Sequence, residues 1–275
     1  MHRQLGGRVL TTMAMGLVVC SGCATAGVVA THPDFKTRRA HIHTMAVLPS
    51  KVEVYKLTFK GDREMMYDLL PPIAQWANQE IQTTFITRGY EMRSLRLTDE
   101  AFANHPELKQ SLSTIQDIFN KRLEEYHHRW FPAFRAFTYS IGSEVNVFAD
   151  HTDSDALVLM QCTGIKKTGG EITKDLAQSL LIAAATLGSV LVIQYPSITV
   201  IQMAVVDGNT GDILWYADNT QDAAFDIANE THFRKTLRHM VSQFPKAILP
   251  SLKAGTLPST QPVRLKPVTP VTAVP

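Results

Sequence analysis

Ile198–Val206 and Ile213–Tyr216 constrain the fold of this chain more than any other stretch. The first reads Ile-Thr-Val-Ile-Gln-Met-Ala-Val-Val and the second Ile-Leu-Trp-Tyr, with Asp207-Gly208-Asn209-Thr210-Gly211-Asp212 between them. Dense Asp, Gly and Asn between two runs of this kind is turn chemistry, so the pair predicts a β-hairpin. Both strands are apolar on both faces, as in a sheet covered on two sides. Ala156 to Thr163 is a third run, entered through the turn residues Asp153-Ser154-Asp155.

The flanking segments supply the cover. Thr44-Met45-Ala46-Val47-Leu48-Pro49 predicts a buried strand, and Val52 to Leu57 alternates and continues as a more exposed one. After Pro71-Pro72, Ile73, Ala77, Ile81 and Phe85 recur every fourth residue, one face of a helix that stops at Gly89 before a strand at Tyr90-Glu91-Met92. Pro106 opens a longer surface helix through Leu112, Ile115, Phe119 and Leu123, with Lys109, Asp117, Lys121 and Glu125 largely off that stripe. Phe131, Phe134 and Phe137 read as core, and a short helix ends near Asp150. A last helix buries Phe233, Leu237, Met240, Val241 and Phe244 and ends at Pro245. This order predicts an α/β fold: a mixed β-sheet of about four to five strands with helices packed against it.

Residues 1–22 have the layout of a secretory signal: basic Arg3 and Arg8, an apolar run from Val9 to Val19, then small residues. The apolar run is too short for a bilayer about 30 Å thick, which needs about 20 residues. Val19-Cys20-Ser21-Gly22-Cys23-Ala24 resembles the lipobox of bacterial lipoproteins. That resemblance implies a diacylglycerol on Cys23, cleavage before it and acylation of the new amino terminus. Cys20 stands where the pattern has an aliphatic residue. Lipidation at Cys20 itself would set bulky Val18 and Val19 at the cut, and an ordinary signal peptide cut near Ala24 or Ala26 is the other alternative. Ala24 in place of the aspartate that retains many such lipoproteins implies an outer-membrane address, facing the periplasm. Behind the signal, residues 23–43 read as a tether, 44–248 as one α/β periplasmic domain, and 249–275 as a Pro-rich tail without a core.

The segment 176–193 carries no formal charge and interrupts the domain between two strands. As a helix it would be about 27 Å long, near the lower limit for spanning a bilayer. Three readings stay open: a helix buried on the sheet, a membrane or partner contact through Leu180, Leu181, Ile182, Leu187, Val190 and Leu191, or a lid over a pocket for a hydrophobic ligand.

Catalytic patterns are absent. There is no Gly-rich phosphate loop, no His-Glu-x-x-His and no Gly-x-Ser-x-Gly elbow. Lys167-Thr168-Gly169 matches one motif of penicillin-binding enzymes, but no serine has a lysine three residues on. With Cys20 removed and Cys23 lipidated, Cys162 is the one free thiol; it reads as a small core residue, and no internal disulfide is expected. Ten histidines include the pairs His41/His43, His127/His128 and His232/His239, which lack a cysteine or carboxylate at ligand spacing and read as surface. A net charge of +2 with no basic stripe gives no reason to expect nucleic acid. No cofactor, metal or catalytic residue is expected.

Met45-Ala46-Val47-Leu48-Pro49, Thr87-Arg88-Gly89-Tyr90 and Val206-Asp207 with Thr210-Gly211-Asp212-Ile213-Leu214-Trp215 together resemble bacterial lipoproteins with a periplasmic α/β domain. This domain is similar to the curli-secretion lipoprotein and to the amino-terminal domain of the Tol-Pal translocation protein. The resemblance implies binding or assembly rather than catalysis. The expected function is that of an outer-membrane-anchored, non-enzymatic envelope assembly or interaction component. Its expected partners are the membrane, envelope proteins and further copies of the chain; a carrier of a lipid or other hydrophobic ligand is the alternative.

Overall fold

The structure is a computed structural model that describes residues 28–57, 62–95, 102, 106–128, 136–167 and 197–248. In chain order the elements are β1 (Val29–Thr31), α1 (Phe35–Arg38), β2 (Thr44–Val47), β3 (Lys51–Leu57), β4 (Arg63–Met65) and α2 (Leu70–Thr87). There follow β5 (Glu91–Arg93), α3 (Pro106–His127), α4 (Asn146–Thr152), β6 (Ala156–Lys167), β7 (Ser197–Asp207), β8 (Ile213–Asp218) and α5 (Glu230–Ser242).

The strands form one mixed sheet in the order β1-β8-β7-β6-β2-β5, with β3 also on β6 and β4 outside β3. The expected hairpin is its centre. β6, β7 and β8 run antiparallel, β6 and β7 pairing from Ala156↔Asp207 to Lys166↔Ser197. The other edge of β6 serves two neighbours in turn: Met45–Val47 pair parallel with Ala156–Val158, and Lys51–Leu57 with Gln161–Lys167. Pro49, which has no amide to give a ladder, sits at the step between them.

Strand alternation sorts the core into two layers. Val158, Met160, Cys162, Ile201, Met203 and Val205 lie in one cluster with Ile73, Ala77, Ile81 and Phe85 of α2 and Phe233, Leu237, Met240 and Val241 of α5. Leu157, Leu159, Ala204 and Val206 lie in the other with Ile115, Phe119 and Leu123 of α3 and Phe148 of α4. The register of β8 steps at Val205/Val206, where Trp215 and Ile213 are the successive partners. Leu214 is the extra residue of this bulge, which sends Leu214 and Trp215 into one layer and Ile213 and Tyr216 into the other. The two layers explain why neither hairpin strand alternates with polar residues.

α2 begins with its two prolines in the first turn, where no intrahelical donor is needed. It ends where Gly89 takes φ +90°, and the Gly89 and Tyr90 amides donate to the carbonyls of Ile86 and Phe85. Phe85 meets Tyr90 and Phe244 edge-on at 5.9 and 5.6 Å. Truncating such a side chain to Ala costs about 3–5 kcal/mol. Buried Glu80 of α2 takes Arg238 Nε of α5 at 2.7 Å and lies 3.7 Å from Arg234, which clasps the two helices together.

Two expectations differ from the structure. The sheet has eight strands, not four to five, because β1 and β4 are three-residue edge strands whose side chains carry no apolar alternation. The folded part also starts before residue 44: β1 and α1 fall in the span 23–43 that reads as a tether. β1 is held by β8, with the Asp218 amide donating to Val28 and the His32 amide to Leu214. α1 is held by two side chains, Phe35 against Phe244 at 5.6 Å and Arg38 on Asp207 (2.8 Å), Asp212 (2.7 Å) and Thr210. The segment 176–193 and the tail 249–275 lie outside the described residues. No helix among the described residues is long and apolar enough to cross a membrane.

Candidate functional site

On the α3 side of the sheet, apolar stripes turn polar at the same level. Ile115, Phe119 and Leu123 repeat every fourth residue on α3, and His127 is next in that series. On β6, Leu157 and Leu159 are followed on the same face by Gln161, and on β7 Val206 and Ala204 are followed by Gln202. On β8, Tyr216 is followed by Asp218, which pairs with Gln202. Sheet register and helix periodicity thus bring five polar side chains to one place between α3 and the sheet.

Gln202, Tyr216 and Asp218 are fully or almost fully buried, and all are hydrogen-bonded, as buried polar groups must be. Asp218 anchors the set. Its Oδ1 accepts the Thr220 amide at 3.0 Å and the Thr220 hydroxyl at 2.5 Å, and its Oδ2 accepts the Tyr216 hydroxyl at 3.0 Å. Gln202 Nε2 donates to the Tyr216 oxygen at 3.2 Å, and Gln161 Nε2 donates to Gln202 Oε1 at 2.5 Å. His127 Nε2 is 3.1 Å from the Tyr216 oxygen, 3.3 Å from Gln202 Nε2 and 4.0 Å from Asp218 Oδ2. Tyr126, Phe137 and Tyr139 pack around Tyr216 and one another in edge and stacked contacts, which keeps bulk water from the floor.

Burial sets the proton affinities here. It pushes the His127 pKa below the usual histidine value, against the Asp218 carboxylate that favours the charged ring, and His128 adds to the lowering. Burial first, and Asp218 second, hold the Tyr216 phenol well above its ordinary range. The histidine is therefore neutral at pH 7 and the tyrosine keeps its proton.

Above the network opens a cleft of about 240 Å³. Gln161, Gln202 and His127 line it from below, together with Thr163. Lys51 and Glu53 of β3 border it on one side, and Asn120, Leu123 and Glu124 of α3 on the other. Lys51 Nζ is 3.5 Å from Glu53, and Tyr55 donates to the same carboxylate at 3.3 Å. Cys162 also borders the cleft, but its side chain packs in the opposite layer, where burial pushes the thiol far up. A thiol held protonated there is inert. The one hydroxyl that His127 touches, that of Tyr216, has its proton committed to Asp218. The arrangement is built to hold hydrogen bonds in place, not to move a proton to or from a nucleophile.

The lipidation candidate Cys23 and the contact candidates Leu180, Leu181, Ile182, Leu187, Val190 and Leu191 lie outside the described residues. Both ends of the segment that carries the latter are described: Lys166 and Ser197 are paired neighbours at the open end of the β6–β7 hairpin. Of the histidine pairs read as surface, His127 is the exception, with its side chain only 12 % exposed. His232 instead stacks on Phe225 at 4.4 Å. Among the described residues no group of three or more His, Cys, Asp and Glu side chains could hold a metal ion. Gln161, Gln202, Tyr216 and Asp218 went unnoticed in the sequence; the available signal was a polar residue continuing each apolar stripe.

No family model matches the chain, and no curated protein matches it. Solved structures similar to it include the PelC dodecamer from Paraburkholderia phytofirmans, at 10 % identity over 74 % of this chain and 89 % of that one, TM-score 0.34. A DUF4136 family protein from Bacteroides thetaiotaomicron is similar at 8 % identity over 79 % of this chain and 95 % of that one, TM-score 0.31.

Proposed function

We propose that this chain is a lipid-anchored binding component of the bacterial envelope, of the kind its sequence resembles. In this reading Cys23 carries the anchor at the periplasmic face of the outer membrane, and the domain recognises a partner without catalysing a reaction. One observation carries the binding role: the cleft beside α3 has a floor of buried side chains whose hydrogen bonds are already made. Such a floor loses little entropy when a ligand arrives, which is what pre-organised recognition requires. The carrier reading draws on 176–193 alone; Leu123 is the one aliphatic side chain among the described residues that line the cleft.

Two measurements test the proposal. Intact mass and palmitate labelling of the protein made in cells should show an adduct that Cys23→Ser abolishes; labelling that survives the substitution overturns the anchor. A photo-crosslinking residue at Asn120, on the cleft wall, should capture an envelope component in intact cells, whereas one at Lys109, on the first turns of α3, should not. Equal capture at both positions, or none at Asn120, overturns the cleft as the recognition site.

A further inference from the structure

We infer that the cleft between α3 and the sheet takes a primary ammonium group. This rests on the binding role proposed above and specifies its ligand.

The inference starts from the direction of the hydrogen bonds. Asp218 has only acceptor atoms to offer, so the single Tyr216 proton goes to it. The Tyr216 oxygen can then only accept, which fixes Gln202 with Nε2 toward it and Oε1 turned to Gln161. The Gln161 amide must in turn present Nε2 inward, which leaves Oε1 on the cleft side with no donor among the described residues. His127 follows the same rule. Its Nε2 faces the Tyr216 oxygen and, at 4.0 Å, the Asp218 carboxylate, and both favour the proton on Nε2. The nearby Gln202 nitrogen is then a contact rather than a bond, and Nδ1 keeps its lone pair. The spare Gln161 N–H is the one donor this network leaves over. A buried carboxylate at the back of the site thus makes the front of it rich in acceptors.

The charges at the mouth agree. Lys51 is spent on Glu53, and Glu124 has no cationic partner among the described residues. With His127 neutral, the wall is left with an excess of negative charge. A ligand that donates several hydrogen bonds and brings one positive charge is complementary to all of this, whereas a carboxylate or phosphate is opposed by it. The ammonium of a free amine and that of a lysine side chain satisfy the same groups.

Protonation of His127 should compete with the ligand. Asp218 and Tyr216 face this ring from β8, Lys51 and Glu53 border the cleft from β3, and Glu124 and His128 lie beside it on α3. A bound ammonium adds positive charge to that set, so it must make His127 still harder to protonate, and acid must weaken the ligand by the same factor.

The test is calorimetric titration of the full chain in detergent micelles at pH 7.5 with n-butylamine, butyrate and n-butanol, and with Nα-acetyl-lysine amide. Ring-labelled histidine reports on His127 by NMR. n-Butylamine or the lysine amide should bind saturably and move the His127 midpoint downward, and butyrate should not bind; which of the two amines binds tighter assigns the source of the ammonium. Glu124→Gln and Gln161→Met should each weaken binding about tenfold, as loss of one charged or buried partner does. Asp117→Asn, elsewhere on α3, should leave it unchanged and serves as the folded control. Butyrate or butanol binding as tightly as the amines, amine binding indifferent to both substitutions, or an unmoved His127 signal overturns the assignment. Capture of a partner at Asn120 without amine binding leaves the binding role standing and removes only the ammonium.

Discussion

Gly211→Ala should be among the most damaging single-methyl additions in this protein. Gly211 has φ +74°, a left-handed conformation that costs a residue with a Cβ about 1–2 kcal/mol. A Cβ there would also stand 2.0 Å from the Gly142 oxygen, 2.7 Å from its carbonyl carbon and 2.8 Å from its nitrogen. All three are backbone atoms, so no side chain can swing aside. Relief requires parting the loop at 140–142 from the hairpin turn. That endangers the Ile141 amide bond to the Gly211 carbonyl at 2.7 Å and the Ile213 amide bond to Tyr139 at 2.8 Å, each contributing about 0.5–1.5 kcal/mol. The sum is about 3–5 kcal/mol. Gly89→Ala is the matched control: φ is +90°, but its Cβ would meet only Ala247 Cβ at an ordinary 3.4 Å. It should cost about 1–2 kcal/mol, the conformational part alone. Urea unfolding followed by circular dichroism gives both values. By calorimetry, at about 2–4 °C per kcal/mol for a domain of this size, Gly211→Ala should melt roughly 10 °C below wild type. Equal losses at the two positions would show that the close approach between turn and loop carries no energy, and the reasoning would fail.

Three further outcomes are expected. Tyr216→Phe removes one oxygen from the floor without opening a cavity and leaves Asp218 Oδ2 and Gln202 Nε2 short of a partner; it should cost about 1–3 kcal/mol in urea, and a loss below measurement would dissolve the network. Because folding lowers the His127 pKa, the unfolded chain takes up a proton near pH 6.5 while the folded chain does not. Stability should therefore fall as pH drops from about 7 through that range, by at most about 1.4 kcal/mol per pH unit, and level off once the folded ring also titrates. Asp155 and Asp212 are also perturbed: burial opposes their ionisation but is outweighed, for Asp155 by bonds from Thr44 and His43 and for Asp212 by Arg38. Their depressed values move their contribution to far lower pH, so His127→Gln should flatten the upper window alone. Cys162 should resist iodoacetamide in the native state and react once urea unfolds the chain; labelling of the folded protein would contradict its place in the core.

Much of the fold is legible because its signals are local. Ile73, Ala77, Ile81 and Phe85 announce their shared face by spacing alone, and all four are fully buried. The β7–β8 pair announces itself through the turn between two β-branched runs. β1 and α1 give no such signal: Val29 and Thr31 are exposed, and Phe35 is one apolar residue whose partner, Phe244, is remote in sequence. The candidate site was hidden for the same reason. His127 follows Leu123 at the correct interval, yet beside His128 it looks like one of two surface histidines. What buries it is Tyr216 and Gln202, which reach it through the sheet register. A polar residue that continues an apolar stripe is a cue only when several elements place one at the same depth.

The double service of β6 has a consequence for how the chain acquires its shape. During synthesis Met45 to Leu57 leaves the ribosome well before Ala156 to Lys167, the partner that both β2 and β3 require. Loop closure of that span is slow, and unpaired strand segments are prone to aggregate while they wait. The amino-terminal third is thus a debtor to residues made much later, and a nascent chain halted before Ala156 should remain open to protease and in need of a chaperone.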